Sequence, residues 1–223
     1  MIDPPGALSF IEADLKKCFF LNTNLEKVSF FGIDWPEIKG RLAVYDEQKL
    51  DEEEKVEKER SKERSIVLVH LERLYRQLKK HYEDNRDYER AGHFHYGEKE
   101  MRRKNPETSF GLSFLLTLYL WFSGYGERLV RPLISTGVLL TTSTFAYLCL
   151  GLSPACGKQS LSWMNSSDWM TASLYSLQVI FLLRPDDLVL SGLWAKALHT
   201  LQSILGPLFI ALLALAVRQK LKR

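Results

Sequence analysis

The sequence predicts a mostly α-helical membrane protein that begins with a short solenoid, and three observations carry that expectation. Large apolar residues recur every five positions from Phe10 to Trp35. Apolar faces at three and four spacing run from Val67 to Met101, the mark of amphipathic helices. Two runs free of Asp, Glu, Lys and Arg, Leu133–Leu152 and Ala197–Val217, reach the roughly 20 residues a helix needs to cross a bilayer. Between them lies a shorter run, Trp169–Leu183, that falls short of a crossing.

The bulk averages conceal a chain of two halves. Across its 223 residues, 46% are hydrophobic and 26% charged, which looks globular only because a charged first half is averaged with an apolar second half. Between about Gly40 and Lys104, nearly every third residue is charged. Acids and bases are interleaved there, and a net charge of +3 is too small to argue for a nucleic-acid partner. A solvated surface is the expectation for these charges. Cys18, Cys149 and Cys156 have neither metal-type spacing nor an even count, so no disulfide framework is read, although Cys149 and Cys156 stand close enough to meet near one membrane face. The N-terminus lacks the basic and apolar regions of a cleavable leader, so insertion is expected from the internal segments.

In the first segment, residues 1–38, the large positions are Phe10, Leu15, Phe20, Leu25, Phe30 and Trp35. Two places before each sits Leu8, Ala13, Cys18, Thr23, Val28 or Ile33, mostly small or β-branched. Five matches neither the 3.6 period of a helix nor the 2.0 period of a strand. It suits a square solenoid in which each step of five forms one side, with the large residue pointing to the axis. An amphipathic helix with accidental spacing is the alternative. Six steps are few for a solenoid, because one coil cannot bury its own faces. The piece is therefore expected to lean on the helices that follow, on another chain, or on further repeats.

Ala13-Asp-Leu-Lys-Lys17 and Thr23-Asn-Leu-Glu-Lys27 resemble the repeats of the pentapeptide-repeat family. The resemblance implies a right-handed quadrilateral β-helix, used for binding partners, with no built-in chemistry.

Residues 39–105 are expected to be helical and cytoplasmic. Leu42–Arg64 is rich in Glu, Lys and Arg, with opposite charges four apart such as Glu54 and Lys58, which supports a solvated helix; disorder is the competing reading. Val67, Leu71, Leu74, Leu78 and Tyr82 form one apolar face, and Tyr88, Ala91, Phe94, His95 and Met101 begin a second. Asn85-Arg-Asp87 separates them, with Asp87 placed to accept from free N–H groups as an N-cap. An αα-hairpin follows. The stretch Leu74–Arg103 is similar to a segment of membrane-bound pentapeptide-repeat proteins, and it loosely resembles a single tetratricopeptide unit through Tyr82, Asp87, Tyr88 and Ala91. His93 and His95 diverge on a helix, and neither Glu89 nor Glu98 completes a set of ligands, so no metal and no cofactor is expected. The chain also lacks a nucleophile elbow, phosphate loop or zinc-protease helix, so it is not read as an enzyme.

Within residues 106–131, Thr108–Gly126 is uncharged except at its flanks and borderline in length. Arg102-Arg-Lys104 on one side and Arg128 and Arg131 on the other both favour the cytoplasmic face, which points to an interfacial helix with Tyr119, Trp121 and Tyr125 at headgroup level; a true span is the alternative. Residues 132–223 form the membrane domain. The loop Ser153–Ser167, with Lys158 as its one basic residue and an acceptor triplet at Asn165-Ser-Ser167, is placed outside. Arg218, Lys220, Lys222 and Arg223 return the chain inside, giving a multi-pass protein of the cell membrane with both termini cytoplasmic.

Outer span, outside loop, half-span, return and inner span resemble the two-helix ion-channel pore family. Potassium members carry a glycine-containing filter whose carbonyls replace the ion's water shell. Aligning Asp187 on the filter's aspartate puts Leu182-Leu-Arg-Pro-Asp186 in its place, without glycine, which excludes a potassium filter. What remains at that corner is Asp186 and Asp187, which would form an acidic ring in an oligomer, with Arg184 beside them. His199, Gln202 and Ser203 share a face and are the expected pore lining, and Gly206-Pro207 is the expected hinge because proline cannot donate to the carbonyl of Ser203. The span Leu201–Ala216 is similar to inner helices attached to membrane pentapeptide-repeat proteins. The expected function is thus an ion pore, not potassium-selective, formed by a homo-oligomer in the lipid bilayer. The alternative is a membrane-anchored interaction or scaffold protein whose repeat or hairpin meets a cytoplasmic protein partner.

Overall fold

The computed structural model describes residues 8–54, 61–126, 129–154, 161, 164–183, 188–190 and 192–221. Seven helices dominate it, joined by short strands in pairs. The chain divides into two compact units, built on residues 1–127 and 128–219.

In the first unit the five-residue step becomes a returning coil. Strand β1 (Leu8–Ile11) pairs in parallel with β2 (Val28–Phe31), Leu8 opposite Val28 and Phe10 opposite Phe30, so the chain comes back over itself after four steps of five. A further parallel bridge joins Asp14 to Asp34 at the same offset. The corners are turns repeated every five residues, with Cys18, Thr23 and Val28 donating their N–H groups to the carbonyls of Leu15, Phe20 and Leu25. Glu12 and Gly32, stacked one above the other, both take positive φ, and a side chain at Gly32 would crowd Glu12 Cγ at 3.3 Å. The large residues point inward as expected. Leu15, Phe20, Leu25, Phe30 and Trp35 are buried, and the Phe10 ring stacks on Phe30 at 5.7 Å.

Two short strands, β3 (Glu37–Ile38) and β4 (Arg41–Leu42), make a hairpin turned at Gly40, and the chain enters helix α1 (Tyr45–Glu54). Helices α2 (Ser61–Asp84) and α3 (Tyr88–Lys104) form the αα-hairpin. Asp87 caps α3, its side chain accepting from Arg90 N–H at 3.1 Å. Leu71, Leu74, Leu78 and Tyr82 of α2 and Ala91, Phe94 and Met101 of α3 are buried in the same core as Phe20, Phe30 and Trp35. The short coil therefore leans on the hairpin of its own chain.

Most of the described charges in this region lie at or near the surface as expected, but five depart from that expectation. Arg41, Asp46, Glu47, Glu98 and Glu100 are buried, each held by a partner. Helix α4 (Phe110–Ser123) is 14 residues long and ends at Gly124 in the left-handed region. At roughly 21 Å it is too short to cross a bilayer. Phe110, Phe114, Leu115 and Trp121 are exposed on it. Tyr125, expected at the surface, is instead fully buried, its hydroxyl donating to Glu100 at 3.1 Å, because that carboxylate needs a donor and the ring packs edge-on against Tyr96 and Tyr119.

The second unit holds α5 (Val130–Leu150), β5 (Leu152–Pro154), α6 (Ser166–Ile180), β6 (Leu188–Leu190) and α7 (Leu193–Leu221). Val130–Leu150 and Leu193–Arg218 are long and apolar enough to cross a membrane. Only 22% of each such stretch is buried within the chain. Antiparallel pairing of β5 with β6 sets the end of α5 and the start of α7 at one level.

Candidate functional site

The site is built where α6 packs between α5 and α7. With 15 residues, α6 extends roughly 22 Å, about half of what α7 covers. Its last residue, Ile180, meets α7 at Gly206. A Cβ there would lie 2.7 Å from Ile180 Cα and 3.0 Å from its carbonyl oxygen, so only glycine admits so close a crossing. Gly206 lies roughly 20 Å down α7 from Leu193. Helix α6 thus runs from the strand-paired end to the middle of α7, and the chain then returns to the paired end at β6.

Polar side chains are gathered along this crossing. Tyr147 of α5 donates to Gln202 Oε1 at 2.7 Å, and Gln202 Nε2 donates to Ser176 Oγ at 2.6 Å and to its carbonyl at 3.1 Å. Gln202 is 1% exposed, so this network satisfies an amide that would otherwise be costly at such depth. The Tyr147 and Tyr175 rings meet edge-on at 4.9 Å, and the Tyr175 hydroxyl pairs with His199 Nδ1 at 3.2 Å. Ser203 turns its hydroxyl back to the Thr200 carbonyl at 2.9 Å, an ordinary way of satisfying a serine inside a helix.

The expected lining stripe is therefore divided. Gln202 is turned into the three-helix core, whereas His199 and Ser203 border a groove of about 720 Å³ between α6, β6 and α7. Pro207 sits inside α7, which continues through it to Leu221. The expected hinge pair thus includes Gly206, whose observed role is close contact with α6. Arg184, Asp186 and Asp187, the filter-like residues, lie outside the described residues, as do Cys156 and Lys158. Cys18 and Cys149 are free thiols. Tyr147 and Ser176 were not legible as partners of Gln202. Each stands among other hydroxyl-bearing residues of its run, such as Thr144 and Ser173, so nothing in the sequence singles it out.

The first unit carries a different arrangement, in which helical side chains finish the backbone hydrogen bonding of the coil. Asp46 of α1 accepts from Phe20 N–H at 2.9 Å and Leu21 N–H at 2.9 Å. Gln77 Oε1 accepts from Leu25 N–H at 3.1 Å, and His81 Nε2 accepts from Phe30 N–H at 3.2 Å. Trp35 Nε1 donates to the Tyr82 hydroxyl at 2.8 Å. Phe20, Leu25 and Phe30 are successive large positions of the step, and each has its own helical partner.

Behind this lies a buried ion pair. Arg41 Nη2 reaches Glu47 at 2.5 and 2.7 Å, and the Tyr75 hydroxyl donates to Glu47 while accepting from Val44 N–H at 3.1 Å. Burial works against the Arg41 charge, but Tyr75 and Glu47 outweigh it and hold the guanidinium above its ordinary value. Burial and the Glu47 charge both push Tyr75 up. Glu98 is ringed by Arg76, Lys79, Lys99 and His95. Burial opposes its charge, yet His95, Lys99, Lys79 and Arg76 prevail and hold its carboxyl down to about 2. Burial likewise opposes Glu100, where Arg103 and Lys104 lower the carboxyl. Among the described residues, no group of three or more His, Cys, Asp or Glu side chains is placed to hold a metal ion. The charges around Glu98 and Glu100 staple the hairpin.

No family model, curated protein or solved structure matches the chain.

Proposed function

We propose that the chain is an integral membrane protein whose second unit is a channel-like pore module of a homo-oligomer, weakly selective among cations. The observation that carries the reading is the half-length helix α6, ending against Gly206 midway along α7 before the chain returns to the strand-paired end. A helix that enters and turns back exposes irregular backbone at membrane depth, which is tolerated only where protein or water surrounds it. Pore-lining segments meet that condition. On this reading, α5 is the outer helix, α6 the re-entrant helix and α7 the inner helix. Asp186 and Asp187, outside the described residues, are the acidic pair that an oligomer would gather into a ring.

We further read the first unit as one and a half coils of a right-handed β-helix of pentapeptide type, ended by α1 and α2. The twenty-residue return and the repeated corner turns support this. In a continuing coil, Leu15 N–H bonds to a carbonyl nineteen residues on, as it does to Asp34. Phe20, Leu25 and Phe30 find Asp46, Gln77 and His81 in that role instead. The helices therefore serve as the solenoid's terminator.

One observation favours the second reading, a membrane-anchored scaffold without transport. Gln202, the most polar group of the expected lining, is consumed inside its own three-helix core. Cation flux into vesicles reconstituted with the intact protein separates the two. The pore reading expects flux that falls severalfold in the Asp186→Ala, Asp187→Ala double variant. An inserted, oligomeric protein that passes no ions would sink it and leave the scaffold.

A further inference from the structure

We propose that the outward face of α4 is a membrane-docking surface, lying flat in the headgroup and acyl boundary of a bilayer and giving the first unit a lipid attachment of its own. Phe110, Phe114 and Trp121 fall four and seven residues apart, on one side of the helix, with Leu115 beside them. Their exposures are 87% for Phe110, 53% for Phe114, 75% for Trp121 and 62% for Leu115. Leu116 and Ser123, seven apart on the other side, are buried. None of the 14 residues of α4 is charged, so its outer side lacks the ionic groups that an ordinary surface helix turns to water. The helix is also held in place. The Thr108 hydroxyl donates to the Arg102 carbonyl at 2.7 Å, Gly124 N–H closes the C-terminus on Leu120, and Tyr125 donates to Glu100 of α3. A fixed platform therefore presents the apolar face.

Size and connection select the occupant. At about 200 Å² for a large side chain, these four residues leave roughly 550 Å² of apolar surface uncovered. A patch of that size marks a contact with protein or membrane. It falls short of the roughly 800 Å² that each partner gives to a stable protein pair, which argues against a second copy. A bilayer sets no such minimum, because an interfacial helix needs only to sink its apolar face about 5–10 Å into the headgroup boundary. At roughly 21 Å, α4 is too short to cross instead. Trp121 is the ring type enriched at that boundary. In the sequence, six residues separate Ser123 from Val130, where a membrane-length helix begins, so a bilayer crossed by α5 is within reach of α4. Tyr119 and Tyr125, expected at headgroup level, pack edge-on against each other, which leaves the phenylalanines and Trp121 to meet lipid. The inference rests on the membrane placement of α5 and not on whether the protein conducts.

The test is the collision accessibility of a nitroxide on the full chain, with Cys18, Cys149 and Cys156 replaced by alanine, in vesicles of phosphatidylcholine. Single labels enter through Phe114→Cys and Trp121→Cys. Val138→Cys on the exposed side of α5 and Lys80→Cys on the exposed side of α2 serve as lipid and water references. Oxygen concentrates in lipid, whereas nickel ethylenediaminediacetate stays in water. Labels at positions 114 and 121 are expected to follow the one at 138, meeting oxygen severalfold more often and nickel severalfold less often than the label at 80. For a label placed through Leu115→Cys, adding Phe110→Ser and Trp121→Ser raises nickel collisions toward the level at 80, while a label at 138 in that background stays immersed. Nickel collisions at 114 and 121 equal to those at 80 overturn the proposal by leaving the face in water. Exclusion of both reagents there overturns it in favour of a protein cover, a second copy included. A label at 138 open to nickel refutes the membrane placement itself, whereas one immersed while α4 stays open to nickel refutes the docking face alone.

Discussion

Removing the Glu47 carboxylate leaves Arg41 as a buried charge without its partner. The side chains of Arg41 and Glu47 are only 8% and 2% exposed, and two short hydrogen bonds join them. Breaking such a pair from one side typically costs about 3–5 kcal/mol, because desolvation of the remaining ion is no longer offset. Here the guanidinium lies over the rings of Tyr75 at 5.7 Å and Tyr96 at 5.2 Å, which returns roughly 1–2 kcal/mol of cation–π attraction. The expected loss for Glu47→Ala is therefore about 3 kcal/mol. It should be read by hydrogen exchange of backbone amides in residues 8–44 of the full chain as urea is raised. The Arg41→Met, Glu47→Leu double variant removes both ions and should recover most of that stability, since apolar replacement of a buried pair is often near neutral. A loss under about 1 kcal/mol for Glu47→Ala would refute the argument. So would a double variant as unstable as the sum of the two singles.

Two further outcomes follow from the same geometry. Glu98 is held near 2 in the folded chain, below its unfolded value, so its contribution is fully present above about pH 4.5 and is lost as pH falls toward 2. The contribution is on the order of 2 kcal/mol; urea midpoints between pH 6 and 3 should fall in wild-type protein and flatten in Glu98→Gln, and parallel curves would contradict it. In the membrane unit, Gly206→Ala should lower the thermal midpoint in detergent, a loss of roughly 1–3 kcal/mol from crowding Ile180 backbone. Gly137→Ala on α5, where nothing lies within 4 Å of the added atom, should instead gain up to about 1 kcal/mol from helix propensity. Stabilisation by both substitutions would mean that α6 does not end against α7.

Much of the local structure was legible because its cause is local. The step of five sorted Leu15, Phe20, Leu25, Phe30 and Trp35 inward without any knowledge of the fold. Asp87 was readable as an N-cap because the donor it satisfies lies three residues away. The two membrane-length runs were legible because hydropathy sums over neighbours in sequence. Tyr125 was misplaced for the complementary reason: a tyrosine in an apolar run fits a headgroup belt until a buried carboxylate from another helix claims its hydroxyl.

By itself, then, the sequence determined periods, caps and apolar lengths, all properties of residues a few positions apart. Only the tertiary structure decided which distant groups would meet. Asp46, Gln77 and His81 carried no assigned role in the sequence, yet they accept from backbone N–H groups of the first segment 25 to 52 residues away. Gln202 read as one rung of a stripe, but its amide turned to Tyr147 and Ser176 because a buried amide must find partners wherever the packing offers them. The depth at which α6 stops was settled by a single missing Cβ at Gly206, a contact between helices that no periodicity encodes.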